Sequence, residues 1–572
     1  MRRFTNLIAF TAFCFFLFCN ATLRSEVIIS QDACWQNTQD LNEDITVLSG
    51  VTLTIKGTVR FGPWRKINVR QGGHLIVDGG TITSISIGLN QAWRGIYVEA
   101  NPWSPQTDAS TGTVSIINGS LIENSRNGIG TYRFGPGENS GAIVTCIDSD
   151  FRNNGRSIEF LRFTTGDDNL SAVDGCTFLI DETFLKFGMK FIGHITSWRN
   201  KQIVIEQSRF EIEEAIADNT LFTGKWGVYY RQTSGEIQGN EFLHLPIGLE
   251  ANQEGSPDVA HDPVNLLGNS FMGNGIAAKI QSDELSATLN FFHVSYHTKE
   301  AIGLQIDNST DYVVQENEFM EGDPLAPSNN TGVKVTDSGP EQNELTRNAF
   351  EDLNIGILAV GINRDDWQQG LKILCSHFGA NKTAIKVVPN DSGQYQGIAS
   401  NQGIRRASAG NTFKSNNIDI ENQTVNEIRY PYEDPIFDDP ADLVIPENTF
   451  GLVFVYPTIA APLCEDDMDE DFNESELGKS LSRTITPIRL PVFPNPATNS
   501  VEINLPKEQM ATNEEVISVT MYSFSGKRVI PVVKILDTRL ELDVDGLPTG
   551  PYQVRVVFTS GAIATGKIIK AN

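Results

Sequence analysis

Helix-forming stretches are nearly missing from this chain of 572 residues. Basic residues are scarce as well: 44 Lys and Arg stand against 71 Asp and Glu, a formal net charge of −27. That balance argues against nucleic acid as a partner, because phosphates demand a basic face. It favours solubility and admits divalent cations such as calcium at the surface. Cysteine is sparse, with 7 in all, and no CxxC or Cys/His spacing fits a zinc site. The 7 His are scattered without a carboxylate at metal-pair spacing. There is no Gly-x-Ser-x-Gly and no phosphate loop. No resident metal or cofactor is therefore expected.

Long apolar runs are also absent, with one exception. Arg2 and Arg3 precede an apolar stretch from Leu7 to Phe18. It is shorter than the span of about 20 residues that crosses a bilayer. Residues 1–25 therefore read as an export signal, cut after Ala21 or Ser25. Beyond it stand Cys34, Cys146, Cys176, Cys375 and Cys464. An exported chain permits disulfides, and this odd count leaves at least one thiol unpaired. No transmembrane segment is expected in the mature chain.

What the chain does contain is a ladder. Phe recurs at Phe151, Phe178, Phe210, Phe242, Phe271, Phe292, Phe319, Phe350, Phe378 and Phe413. Two residues before each stand Ser149, Cys176, Ser208, Asn240, Asn269, Asn290, Asn317, Asn348, Ser376 and Asn411. Short runs such as Gly275-Ile276-Ala277 and Gly356-Ile357-Leu358 follow several of the rings. The spacing averages about 29 residues, a period that signals a solenoid. Upstream, Val51–Val59, His74–Ile82 and Val114–Ile122 alternate apolar and polar residues around Gly, as half-buried strands do. A unit of this size suits one coil of three short strands.

Coiling solves a burial problem, since one coil alone cannot hide its apolar face. Stacking sets equivalent strands about 4.8 Å apart and aligns like residues. The Phe column then fills the interior, each ring contributing roughly 1.5–3 kcal/mol. The Asn column is expected at a sharp turn, because Asn tolerates left-handed backbone angles, with stacked amides bonded to one another. The pattern predicts an all-β chain with a parallel β-helix solenoid, and the alternating strands of residues 491–572 predict a small C-terminal Ig-like β-sandwich. The ladder resembles that of pectate-lyase-like proteins, which implies a right-handed parallel β-helix. Residues 26–44 are expected to cap the helix and 45–456 to form it with its terminal cap. About 14 coils make a rod of roughly 65–70 Å.

The acidic run from Glu465 to Asp471 lacks the Gly and spacing of an EF-hand loop. Residues 457–490 read as a solvated linker. Residues 491–572 carry Pro494-Asn495-Pro496, a turn at Gly526-Lys527, then Leu547, Gly550 and Tyr552, and finally Lys567 and Lys570. Those motifs, in that order, resemble the type A C-terminal sorting domain of the type IX secretion system of Bacteroidota. The resemblance implies the type IX machinery and its sortase-like peptidase as partners. It also implies a secreted or outer-surface location.

Candidate chemistry is thin. Gly166-Asp167-Asp168, Gly193-His194, Arg199 and Lys201 resemble the catalytic residues of polygalacturonase-like hydrolases, which makes Asp167, Asp168 and His194 the catalytic candidates. The pattern departs from that family at Ile195, where a second Gly is usual. It also lacks an upstream Asn-Thr-Asp, and Arg199 follows His194 too closely to lie a full coil away. Trp64, Trp93, Trp103, Trp198, Trp226 and Trp367 fall near turns, where flat rings either stack on sugars or anchor loops; Trp93 opens a strand and reads as core. The expected function is a secreted or surface β-helix that binds glycans or surfaces without catalysis. The alternative is a polysaccharide lyase or glycoside hydrolase acting on a polysaccharide, an acidic one included.

Overall fold

The computed structural model describes residues 26–458 apart from 107–110, 133–139, 164–166, 253–262, 282–284, 296–299, 322–328, 340, 342, 394–395, 404–407 and 434–445. It also describes most strands between 488 and 570. The expected export signal and acidic linker run lie outside the described residues. So do Pro494, Asn495, Pro496, Gly526 and Lys527.

Three parallel sheets wind together, with 16 strands in sheet A, 13 in sheet B and 14 in sheet C. Coils up to Lys372–Leu374 contribute a strand to A, then B, then C, and the last coils lack the strand in B. The stack opens one coil before the start expected at Ile45. Glu26–Ile29, Ala33–Trp35 and Gln39–Leu41 already pair in parallel with Asp44–Val47, Thr52–Ile55 and Thr58–Phe61. The short strands of this coil carry Gln39 where the next coil has Val59, and the apolar Cys34 outward where it has Thr54, which hid the alternation. Fifteen strand steps along sheet A give a rod of about 70 Å.

The Phe residues fall in direct register along sheet C from Phe151 to Phe413. Their rings stack with centroids 4.5 to 5.3 Å apart and planes within 14°. Strand spacing imposes that distance, and offset stacking adds attraction beyond burial. Before Phe151 the same file continues through Ile122, Ile82 and Val59. The glycines of the Gly-Ile runs make room for the rings. A Cβ on Gly332 would meet the Gly356 carbonyl at 2.7 Å and the Phe350 ring at 2.8 Å.

The carboxamides form the second file. Asn240, Asn269, Asn290 and Asn317 each donate from Nδ2 to the Oδ1 of the next Asn, at 2.9 to 3.0 Å. That same Oδ1 also accepts the backbone N–H of the Asn before it, and each Nδ2 donates again to a carbonyl of the preceding coil. The left-handed backbone lies one residue earlier than expected, at Gly239, Gly268, Leu289, Glu316 and Arg347. The Asn residues are therefore fixed by buried hydrogen bonding, not by tolerance of positive φ. Non-glycine residues in that region cost roughly 1–2 kcal/mol each, and the file beside them satisfies the turn. A second, shorter carboxamide file includes Asn154, Asn274, Asn381 and Asn416, three residues after a Phe, and it too binds neighbouring backbone.

The C-terminal region forms two sheets. One orders Ile488–Arg489, Ile563–Lys570, Gly550–Phe558, Val516–Ser523 and Arg528–Val529. The other orders Val492–Phe493, Ser500–Asn504, Arg539–Asp543 and Val532–Leu536. Val501, Ile503, Met521, Leu540, Leu542, Val554, Val556 and Ile568 fill its core, with Leu547 packed against it. Gly550, Tyr552 and Lys567 lie on the two paired terminal strands, and Lys570 is buried. Cys34, Cys146 and Cys176 are free thiols, the last two buried in the rod, and Cys375 is disulfide-bonded.

Phe350 is fully buried between Phe319 and Phe378. Phe350→Ala is expected to lower unfolding free energy by about 3–5 kcal/mol. Denaturant unfolding checks this, and a loss below about 1 kcal/mol would remove the ring from the core.

Candidate functional site

The catalytic candidates do not come together. His194 points into the rod, fully buried among the rings of Phe178, Phe191 and Phe210. Its Nε2 lies 3.2 Å from the Glu211 carbonyl. Burial pushes its pKa down to about 3, so the imidazole is neutral, and no substrate reaches it. Asp167 and Asp168 are exposed outside the rod, and Asp168 pairs with Lys201 at 3.6 Å. A sheet wall separates the imidazole from the carboxylates. Arg199 donates to Gln232. The Gly-His step thus serves packing: a buried His beside a short helix, Glu182–Phe187, whose Phe184 joins the same cluster of rings through Phe191.

A different cluster stands on the outer face of sheet A. Alternation in Lys66–Val69 and Trp93–Glu99 turns Ile67, Val69, Ile96 and Val98 inward. Lys66, Asn68, Tyr97 and Glu99 face out. A bulge at Gly95 shifts the register with the next strand, Ser125–Tyr132. Only Gly fits there: its φ is 126°, and a Cβ would lie 1.5 Å from the Asn127 carbonyl oxygen. The Tyr97 and Tyr132 rings then meet at 4.9 Å, tilted by 53°. Tyr132 lies over Gly130, where a Cβ would approach the ring to 2.6 Å.

Cations surround the pair. The Arg94 guanidinium sits 5.3 Å from the Tyr97 ring centre, and its Nε donates to the Tyr97 hydroxyl at 3.2 Å. Lys66 Nζ lies 5.7 Å from the same ring. Below them Glu159 accepts from Tyr132 Oη and Asn127 Nδ2, both at 3.1 Å, and pairs with Arg156. Glu99 pairs with Arg70 at 2.7 Å. Arg156 Nε and Asn127 Oδ1 are buried without a hydrogen-bond partner among the described residues.

Burial raises the pKa of both tyrosines, so their hydroxyls stay protonated at neutral pH. Burial likewise raises Glu99, against the opposing pull of Arg70, and lowers Lys66 and Arg156. Charge is held here at a desolvation cost that the rod's fold does not require. The arrangement offers flat rings, guanidinium donors and a fixed carboxylate to a polar, ring-shaped, anionic ligand. Among the described residues, no group of three or more His, Cys, Asp or Glu stands close enough to hold a metal ion.

The sequence reading missed this cluster because its members come from four coils. The available signal was the alternation itself, with Tyr97 and Glu99 on the outward parity of a strand. The tryptophans divide: Trp93 is core, stacked on Phe61. Trp64, Trp103 and Trp367 are exposed, and Arg126 caps the Trp64 ring at 3.6 Å.

Residues 491–571 match the family model for the secretion system C-terminal sorting domain. The chain carries a type IX secretion sorting domain. It is addressed to the cell exterior as a secreted or surface protein. No helix among the described residues is long and apolar enough to cross a membrane. No curated protein matches the chain. Among solved structures, a mutant tailspike protein of E. coli bacteriophage HK620 aligns at 12% identity over 93% of this chain and 86% of its own, with a TM-score of 0.35. The A-module of a mannuronan C-5 epimerase from Azotobacter vinelandii aligns at 11% identity, covering 76% and 92%, with a TM-score of 0.28. A mutant of the periplasmic alginate epimerase AlgG aligns at 7% identity, covering 68% and 78%, with a TM-score of 0.23. At these scores the fold rests on the strand pairing of the chain itself.

Removing residues 491–572 is expected to hold the rod in the periplasm, read by cell fractionation. Normal display of the truncated chain at the surface or in the medium would contradict the sorting role.

Proposed function

We propose that the rod binds an acidic glycan outside the cell, on the outer face of sheet A around Tyr97 and Tyr132. The observation that carries this is the set of cations, Lys66, Arg94 and Arg156, gathered around two outward aromatic rings on a chain of net charge −27. Sugar rings present C–H faces that stack on tyrosine, and uronate carboxylates suit guanidinium donors. Export by the type IX machinery, with removal of the sorting domain by its sortase-like peptidase, completes the reading.

A second reading is turnover of the same glycan by elimination, and one contact favours it. A polysaccharide lyase needs a cation that neutralises the uronate carboxylate and a base for the adjacent proton. Arg94 and Tyr97 are joined in that way. Burial holds the phenol above its usual pKa, which keeps it protonated and unavailable as a base at neutral pH and places binding first. A glycoside hydrolase needs two available carboxylates, whereas Glu159 already serves Arg156, Tyr132 and Asn127.

Tyr97→Ala and Arg94→Ala are each expected to weaken binding to polyuronates by about tenfold while leaving the melting temperature unchanged. Affinity electrophoresis against acidic and neutral polysaccharides checks this. Unaltered affinity in both variants, or no retention by any acidic polysaccharide, would contradict the reading. Release of unsaturated, ultraviolet-absorbing products by the parent protein but not by Tyr97→Phe would put turnover ahead of binding.

A further inference from the structure

We propose that Trp198, Trp226 and Tyr229 form a second platform for the same glycan, which therefore runs along the rod axis across sheet A. This rests on the acidic-glycan reading of the Tyr97 face and extends it.

Register places the two platforms in one line. Tyr97 pairs with Gly130, Gly130 with Glu159, Glu159 with Thr196 and Thr196 with Tyr229. Four strand steps separate the tyrosines by about 19 Å, a span of several sugar rings. The floor between them is low: Gly130 under the edge of Tyr132, the fixed Glu159 carboxylate, and Thr196. Beyond Glu250 and Lys279, the column continues as Gln305, Lys334, Leu358, Lys386 and Glu421, and an aromatic residue returns only at its last strand, as Phe450.

The second platform is built, not merely exposed. The Trp226 and Tyr229 rings stack at 4.4 Å and 23°. Trp226 Nε1 donates to Glu250 Oε2 at 2.6 Å, and Glu250 in turn holds Lys279 at 3.4 Å. Lys225 Nζ stands 5.6 Å from the Trp226 ring. Trp198 pairs in register with Arg231, and its ring lies 5.7 Å from both the Arg199 and Arg231 guanidiniums. The Trp198 indole N–H is buried with no acceptor among the described residues. As at the first platform, the carboxylate is already committed and the cations face outward, which selects an anionic chain.

The test measures affinity of the exported chain for short and long members of an oligouronate series. Parent affinity is expected to rise with length until the ligand spans both platforms. Trp226→Ala is expected to leave short-oligomer affinity unchanged and to cost about tenfold for long ones. Trp226→Phe, which keeps a ring, retains most of the long-chain gain and controls for folding. Tyr97→Ala weakens binding at every length. Equal loss at all lengths in Trp226→Ala, or no loss at any length while Tyr97→Ala still weakens binding, overturns the second platform alone. Absence of oligouronate binding by the parent overturns the acidic-glycan reading beneath it.

Discussion

The spacing between parallel strands governs this molecule. At about 4.8 Å it equals the distance at which phenyl rings stack, and it allows one carboxamide to bond the next. The chain meets both conditions by repeating Phe and Asn two residues apart. Ring centroids at 4.5 to 5.3 Å and amide contacts at 2.9 to 3.0 Å are thus two readings of one register. A slip of one residue would turn every Phe outward and leave each Asn with its buried amide unpaired, a cost at each coil. Stability accumulates between nearest neighbours, as in other solenoids.

Because interior files fix the fold, the outer parity of each strand is free for other chemistry. On sheet A that freedom yields Tyr97, Tyr132 and Glu159 on rigid backbone, with Arg156 joining them from the start of its strand and Gly95 and Gly130 clearing space for the rings. Sites on strands hold their geometry more closely than sites on loops. The desolvated Lys66 and Arg156, and an Arg156 Nε without a partner among the described residues, are features that packing of the rod does not demand. They gain a purpose when an anionic ligand lies across them.

The solenoid was legible because its constraint is periodic: Phe151 through Phe413 mark sheet C, and the residue two before each marks the polar file. The C-terminal sorting domain was legible through short ordered motifs. The first coil was not, since Ala33–Trp35 and Gln39–Leu41 carry no clear alternation. The position of positive φ was misplaced because Asn invites a backbone explanation, whereas Leu289, Glu316 and Arg347 carry the strain. His194 stood as a catalytic candidate on a motif resemblance alone; its burial depends on Phe191, which comes from the insertion before it and packs in turn on Phe222. The cluster around Tyr97 and Tyr132 depends on register between coils, and register is invisible until strands are paired.

In-register stacking is tested most directly by cross-linking. Gln305 and Lys334 face each other across adjacent coils, and Lys334 faces Leu358 in the next. In a Cys34→Ser background, cysteines at 305 and 334 lie at disulfide distance, while cysteines at 305 and 358 are about 9.6 Å apart at the backbone. Rapid oxidation of the first pair and none of the second is the predicted result. Equal oxidation of both pairs, or of the second alone, would contradict the register on which the rod and its outer face depend.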